Sequence, residues 1–293
     1  MPPPNRSLPQ FWALILALSL AVVGAGVPHF AHAQTTAPGA DDIIEDSPDA
    51  ASLENETPPP VPPAPPRIAD DADYDRCMET LVTDPVGATT IADALAAAGR
   101  AEPAQHCRAL AQIELGNPNA GATMLDRLGQ QSVAPPASRA EIFGQASTAW
   151  IMAANPTQAL ASAASAIALE PDDPDLRITR AIAAIAVGNP AIAKADLDQA
   201  LIADSSRLDG RVLRATSQRM LGDFAGAQKD IDVVLAADSD NVAALLERGV
   251  IRQHSGEIDG ARQDWIRVED LAEDTQPADQ AEQYLALLKA GSK

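Results

Sequence analysis

Aromatic residues make up only 3% of this 293-residue chain: four Phe, three Trp and two Tyr. Because aromatic rings supply the largest buried areas per residue, a fold built from this sequence has to gain its packing from small and branched aliphatic side chains brought close together. Cysteine is nearly absent, with Cys77 and Cys107 alone, and of the four histidines only His106 and His254 lie beyond the N-terminal leader described below. Two of each, spread over different segments, do not make a His/Cys metal site at the usual ligand spacings. GxSxG, HExxH, glycine-rich phosphate-loop and EF-hand patterns are all missing. Asp238 and Asp240 lack the glycine and closing Glu of a calcium loop and read as turn and capping residues. His106 and His254, with no nucleophile at a recognisable spacing, read as packing or groove histidines. No cofactor, metal or catalytic residue is expected, so the chain reads as a non-enzyme.

Basic residues are scarce too, 21 Lys and Arg against 41 Asp and Glu, for a formal charge of −20. That balance argues against nucleic acid or an anionic lipid surface as a partner. The N-terminus has the form of an export signal: Arg6, an uncharged apolar run from Phe11 to Val27, and the small-residue site Ala31-His32-Ala33 before Gln34. Residues 1–33 are therefore expected to be a signal peptide, which places the protein in the periplasm or outside the cell. The competing expectation is an uncleaved inner-membrane anchor, since the run approaches the roughly 18 residues at which a spanning helix becomes plausible. Residues 34–70 turn acidic and proline-rich, with TPPPVPPAPP from Thr57 to Pro66, and are expected to stay unfolded as a linker.

Beyond the linker, four columns recur at a step of 34 residues: Gly188/Gly222/Gly256, Arg180/Arg214/Arg248, Ala193/Ala227/Ala261 and Asp196/Asp230/Asp264. A period of this length is one helix-turn-helix that cannot bury its apolar face alone and needs stacked neighbours. Units in one phase run Ala140–Asp173, Pro174–Arg207, Leu208–Asn241 and Val242–Thr275, preceded by a longer unit, Glu102–Pro135, whose excess falls at Gln130–Pro136.

These units resemble the tetratricopeptide repeat. The small residue at the eighth position is matched by Ala109, Ser147, Ala181, Ala215 and Gly249, and the alanine at the twentieth by Ala159, Ala193, Ala227 and Ala261. Gly116, Gly188, Gly222 and Gly256 fill the turn, where Ala154 departs from the pattern, and Pro171 matches the proline after the second helix. Gly121 also departs, standing where the first unit should carry alanine. The resemblance implies an all-α, right-handed superhelical solenoid of antiparallel helix pairs, about five repeats over 102–275. A helical pair at 71–101 and a helix at 276–293 are expected to cap it.

The recurring Arg180/Asp196, Arg214/Asp230 and Arg248/Asp264 are expected to form structural ion pairs tying first helices to second. Cys77 and Cys107, an even pair in a chain with an export signal, are expected to form a disulfide that ties cap to array. In the family the concave groove is lined by first-helix positions 2, 5, 9, 12 and 13. Carried over by phase, these include Ile151, Met152, Ile178, Ile182, Ile185, Val212, Thr216, Arg219, Met220, Leu246, Val250, Gln253 and His254. The groove is thus expected to be apolar and to suit an amphipathic segment of a protein partner. Ile178, Val212 and Leu246 stand where a terminal-carboxylate clamp needs Lys and Asn. The function expected is a scaffold or adaptor in the cell envelope; the alternative is a structural protein stacking through its repeat ends.

Overall fold

The computed structural model describes residues 67–291, and these contain thirteen α-helices and no strand. The expected signal peptide and the linker up to residue 66 lie outside the described residues. A short pair, α1 (Ala72–Thr80) and α2 (Pro85–Ala97), is followed by five hairpins. These are α3 (Ala101–Glu114) with α4 (Pro118–Gln131), α5 (Pro136–Met152) with α6 (Pro156–Leu169), α7 (Pro174–Ala186) with α8 (Pro190–Ala203), α9 (Leu208–Met220) with α10 (Phe224–Ala237), and α11 (Val242–His254) with α12 (Ile258–Leu271). A final helix, α13 (Gln276–Gly291), lays Ala281, Tyr284, Leu285 and Leu288 on the last hairpin, with the Tyr284 ring stacked on Trp265 at 4.9 Å.

The same device turns the chain in every hairpin. At the end of α7 the amide of Asn189 donates to Ala184 O at 2.8 Å and that of Gly188 to Ile185 O at 2.9 Å, which closes the free carbonyls of the last turn. The residue at the bend must then take positive φ, and Gly116, Gly188, Gly222 and Gly256 do so at +80°, +76°, +84° and +82°. Ala154 makes the same bend between α5 and α6 at +54°. Asn155 and Asn189 then cap the following helices through their side chains, and proline stands first in α6 and α8, where its missing N–H costs nothing.

Small side chains set how closely the helices approach. Ala109, Ala181 and Ala215 in the first helices, and Ala159, Ala193, Ala227 and Ala261 in the second, are completely buried. Gly249 completes the column because a Cβ there would lie 2.2 Å from Trp265 Nε1. Gly121 is explained in the same way, since a Cβ would meet Ala109 O at 2.7 Å. The excess of the first unit is not all loop: α5 begins at Pro136, so Pro136–Arg139 add a helical turn before the repeat phase starts at Ala140. At the other boundary the linker ends earlier than residue 70. Ser138 Oγ donates to Arg67 O at 2.8 Å and Ile68 packs on the core of the first hairpins, so the segment from Arg67 is held on the array.

Three hairpins carry a forked ion pair. Arg180 Nε and Nη2 donate to the two oxygens of Asp196 at 2.7 and 2.6 Å, Arg214 to Asp230 at 2.7 Å each, and Arg248 to Asp264 at 3.0 and 2.6 Å. The three aspartates are buried, and each faces a second guanidinium: Arg177 at 3.7 Å, Arg211 at 3.4 Å and, from a different helical turn, Arg252 at 2.7 Å. Arg214 reaches back as well, to Asp198 of the preceding hairpin at 3.1 Å. The α5–α6 hairpin has Ala146 and Ser162 in these columns; there Asp126 of α4 accepts from Trp150 Nε1 and Ser162 Oγ, both at 2.7 Å.

Two outcomes follow. Arg214→Leu leaves Asp230 buried with only the more distant Arg211, and is expected to cost about 2–3 kcal/mol, well above the roughly 0.5 kcal/mol of a surface change. Urea unfolding reads this directly, and a cost within the surface range refutes it. Ala154→Gly removes a left-handed alanine and is expected to stabilise by about 1 kcal/mol; an unchanged or lower midpoint refutes that reading.

Candidate functional site

The first helices of the first three hairpins, α3, α5 and α7, form the walls of a half-open cavity of about 480 Å³. Leu110 and Ile113 come from α3, Ile151 and Met152 from the end of α5, and Leu176, Ile178 and Ile182 from α7. Gly144 lets α5 pack closely on Leu176, whose Cδ2 would lie 3.0 Å from a Cβ there. Ser147 lines the same wall; it is 1% exposed, and its Oγ has no hydrogen-bond partner among the described residues.

Charge lies around the edge. Glu114, Glu141, Asp175 and Asp209 line the cavity together with one guanidinium, Arg207. Arg207 is already engaged, its Nε and Nη2 donating to Asp209 at 2.8 and 2.6 Å and its Nη1 to Asp175. Glu141 receives only Gln145 Nε2, at 3.3 Å. Enclosure by protein raises the Glu141 carboxyl above the usual range although its side chain still reaches solvent; the hydrogen bond from Gln145 lowers it, and Asp173 and Asp175 push it up again.

Gln145 also ends a buried polar chain. Tyr74 O–H donates to His106 Nδ1 at 2.6 Å and His106 Nε2 donates to Gln145 Oε1 at 2.6 Å, the tautomer that satisfies all four groups together with Glu141. Burial lowers the His106 pKa against the pull of Gln145 and drives the Tyr74 hydroxyl up to about 12, so both are neutral near pH 7. His106 is a packing group with no substrate-facing nitrogen left over.

The groove residues expected from the sequence divide into two sets. Ile151, Met152, Ile178 and Ile182 meet at the cavity. Ile151 and Ile178 are at the same time members of packed cores, as are Ile185, Val212, Leu246 and Val250, which do not line this cavity. Thr216 and Arg219 point along the array to Glu247, which is 1% exposed: Thr216 Oγ1 donates to its Oε2 at 3.2 Å and Arg219 Nε to its Oε1. Met220 is exposed, Gln253 is half-buried, and the exposed His254 ring rests against Phe224 at 4.8 Å.

Sequence reasoning missed the acidic edge. Glu141, Asp175 and Asp209 each occupy the second position of their units, a carboxylate column at the 34-residue step that could have been read with the other four. Cys77 and Cys107 lie outside the cavity, fully buried between α1 and α3 at disulfide distance, with Cα atoms 6.2 Å apart. No cluster of three or more His, Cys, Asp or Glu able to hold a metal ion occurs among the described residues, and none of their helices is long and apolar enough to cross a membrane.

No protein-family model matches this chain, and no curated protein sequence matches it either. Solved structures do. PilW, a widely conserved type IV pilus biogenesis factor, superposes with a TM-score of 0.57 at 17% identity, over 71% of this chain and 95% of PilW. A tetratricopeptide repeat protein from Parabacteroides merdae gives 0.54 at 16%, over 72% and 83%. The Cut9–Hcn1 hetero-tetramer of the APC/C gives 0.56 at 12%, over 72% and 42%. At such identities the likeness concerns the fold: the described chain is a tetratricopeptide-type solenoid of helix hairpins.

Proposed function

We propose that this protein is a non-catalytic scaffold of the cell envelope that holds an apolar or amphipathic segment of a partner protein in the cavity between α3, α5 and α7. The observation that carries the reading is the apolar wall contributed by three successive first helices, the arrangement in which a helix-sized segment can bury one face. Met152 adds an adaptable surface. The covering helices at both ends, α1–α2 and α13, argue against stacking through bare repeat faces.

Ile182→Glu puts a charge where a partner must desolvate and is expected to abolish capture while the far-ultraviolet circular dichroism stays unchanged. Crosslinking pull-downs from native envelopes, wild type against variant, check this; an identical set of captured proteins refutes the cavity as the binding surface.

The periplasmic or secreted location enters the proposal through the cysteines. An oxidised Cys77–Cys107 bond closes about 31 residues, a constraint of roughly 3–4 kcal/mol in the chain-entropy treatment, and it persists only outside the reducing cytosol. Protein isolated from the envelope and unfolded without reductant is expected to show no free thiol on titration; two thiols per chain refute the oxidised form and the location argued from it.

A further inference from the structure

The edge of the cavity restricts which segment can occupy it, and this step rests on the cavity being the binding surface. Four carboxylates, Glu114, Glu141, Asp175 and Asp209, line it with a single guanidinium, Arg207, leaving a formal −3 around an apolar wall. Arg207 is consumed by Asp175 and Asp209, so no cation is left over there to receive an acidic ligand. Glu141, by contrast, has among the described residues only the amide of Gln145 and no cation, and its raised pKa reflects enclosure and the field of neighbouring carboxylates.

At the wall, the buried Ser147 Oγ has no partner among the described residues, and the cavity beside it is a space that no described side chain fills. The chain's own N-terminal arm is a poor occupant. Its stretch from Asp41 to Glu56 carries seven carboxylates and no base, the same sign as the edge.

We infer that the cavity takes a cationic amphipathic segment of a partner protein, its apolar face against Ile113, Ile151, Met152, Ile178 and Ile182 and its Lys or Arg side chains on Glu141 and Glu114. Apolar burial supplies the affinity and the carboxylates supply the choice of sign, because a like charge at the edge of a desolvated site is repelled. A neutral segment of the same shape binds more weakly, and an acidic one is excluded.

Fluorescence anisotropy with the purified full-length chain tests this. The probes are three labelled 16-residue peptides with Leu at helical spacing, whose polar positions are all Lys, all Gln or all Glu. The Lys peptide is expected to bind at least about ten-fold tighter than the Gln peptide at 150 mM salt, with no binding of the Glu peptide. The Glu114→Gln/Glu141→Gln variant is expected to bring the Lys-peptide affinity down to that of the Gln peptide. The distant Glu273→Gln/Glu282→Gln variant is expected to keep the Lys preference. Equal Lys and Gln affinities, both lost in Ile182→Glu, overturn the charge inference and leave the cavity standing. An equal loss in the two double variants overturns it as well, because attraction to the net negative chain then explains the binding. If none of the peptides binds, or if Ile182→Glu has no effect, the cavity reading falls and this inference falls with it.

Discussion

Helix-to-helix distance in this solenoid is set by side chains of almost no size, and the remaining features of the fold depend on it. With so few aromatics, each hairpin gains cohesion by letting backbones come near, which is why Ala181 and Ala193, Ala215 and Ala227, and Gly249 and Ala261 are all closed from solvent at their crossings. Close backbones bring the arginine and aspartate columns within reach of a two-point fork. The same closeness makes the turn tight, and a tight turn demands the left-handed residue that ends each first helix. Larger residues at the eighth or twentieth positions would pull apart the packing, the ion pairs and the turns together.

The periodic features were legible because each depends on one unit and its immediate neighbour. A glycine every 34 residues fixes a turn, and an arginine with an aspartate sixteen residues later spans two antiparallel helices. The binding surface was less legible because exposure is a property of the assembled stack. Ile178 and Val212 hold the same position in consecutive units and both are core residues, yet only Ile178 also borders the cavity. Arg219 sits at a groove position but is drawn to Glu247 of the next hairpin, a partner that no single unit reveals. Gly121 looked like a lapse in the pattern only because the approach of Ala109 O cannot be read from a sequence.

The hairpins are not braced alike. The last three have a buried fork between helices, and the two closing ones are further coupled through Glu247. The α5–α6 hairpin has no such fork, and its turn is carried by Ala154 where its neighbours use glycine. It is braced instead by Asp126 of the preceding hairpin, which accepts from Trp150 Nε1 and Ser162 Oγ.

That same hairpin contributes Glu141, Gly144, Gln145, Ser147, Ile151 and Met152 to the cavity. A segment seated there would touch α3, α5 and α7 at once, bridging two hairpins without an arginine–aspartate fork and the first that has one. By linkage, any occupant of that cavity would return part of its binding free energy as rigidity across those three hairpins, so that filling one site would stiffen the solenoid well beyond the residues it touches.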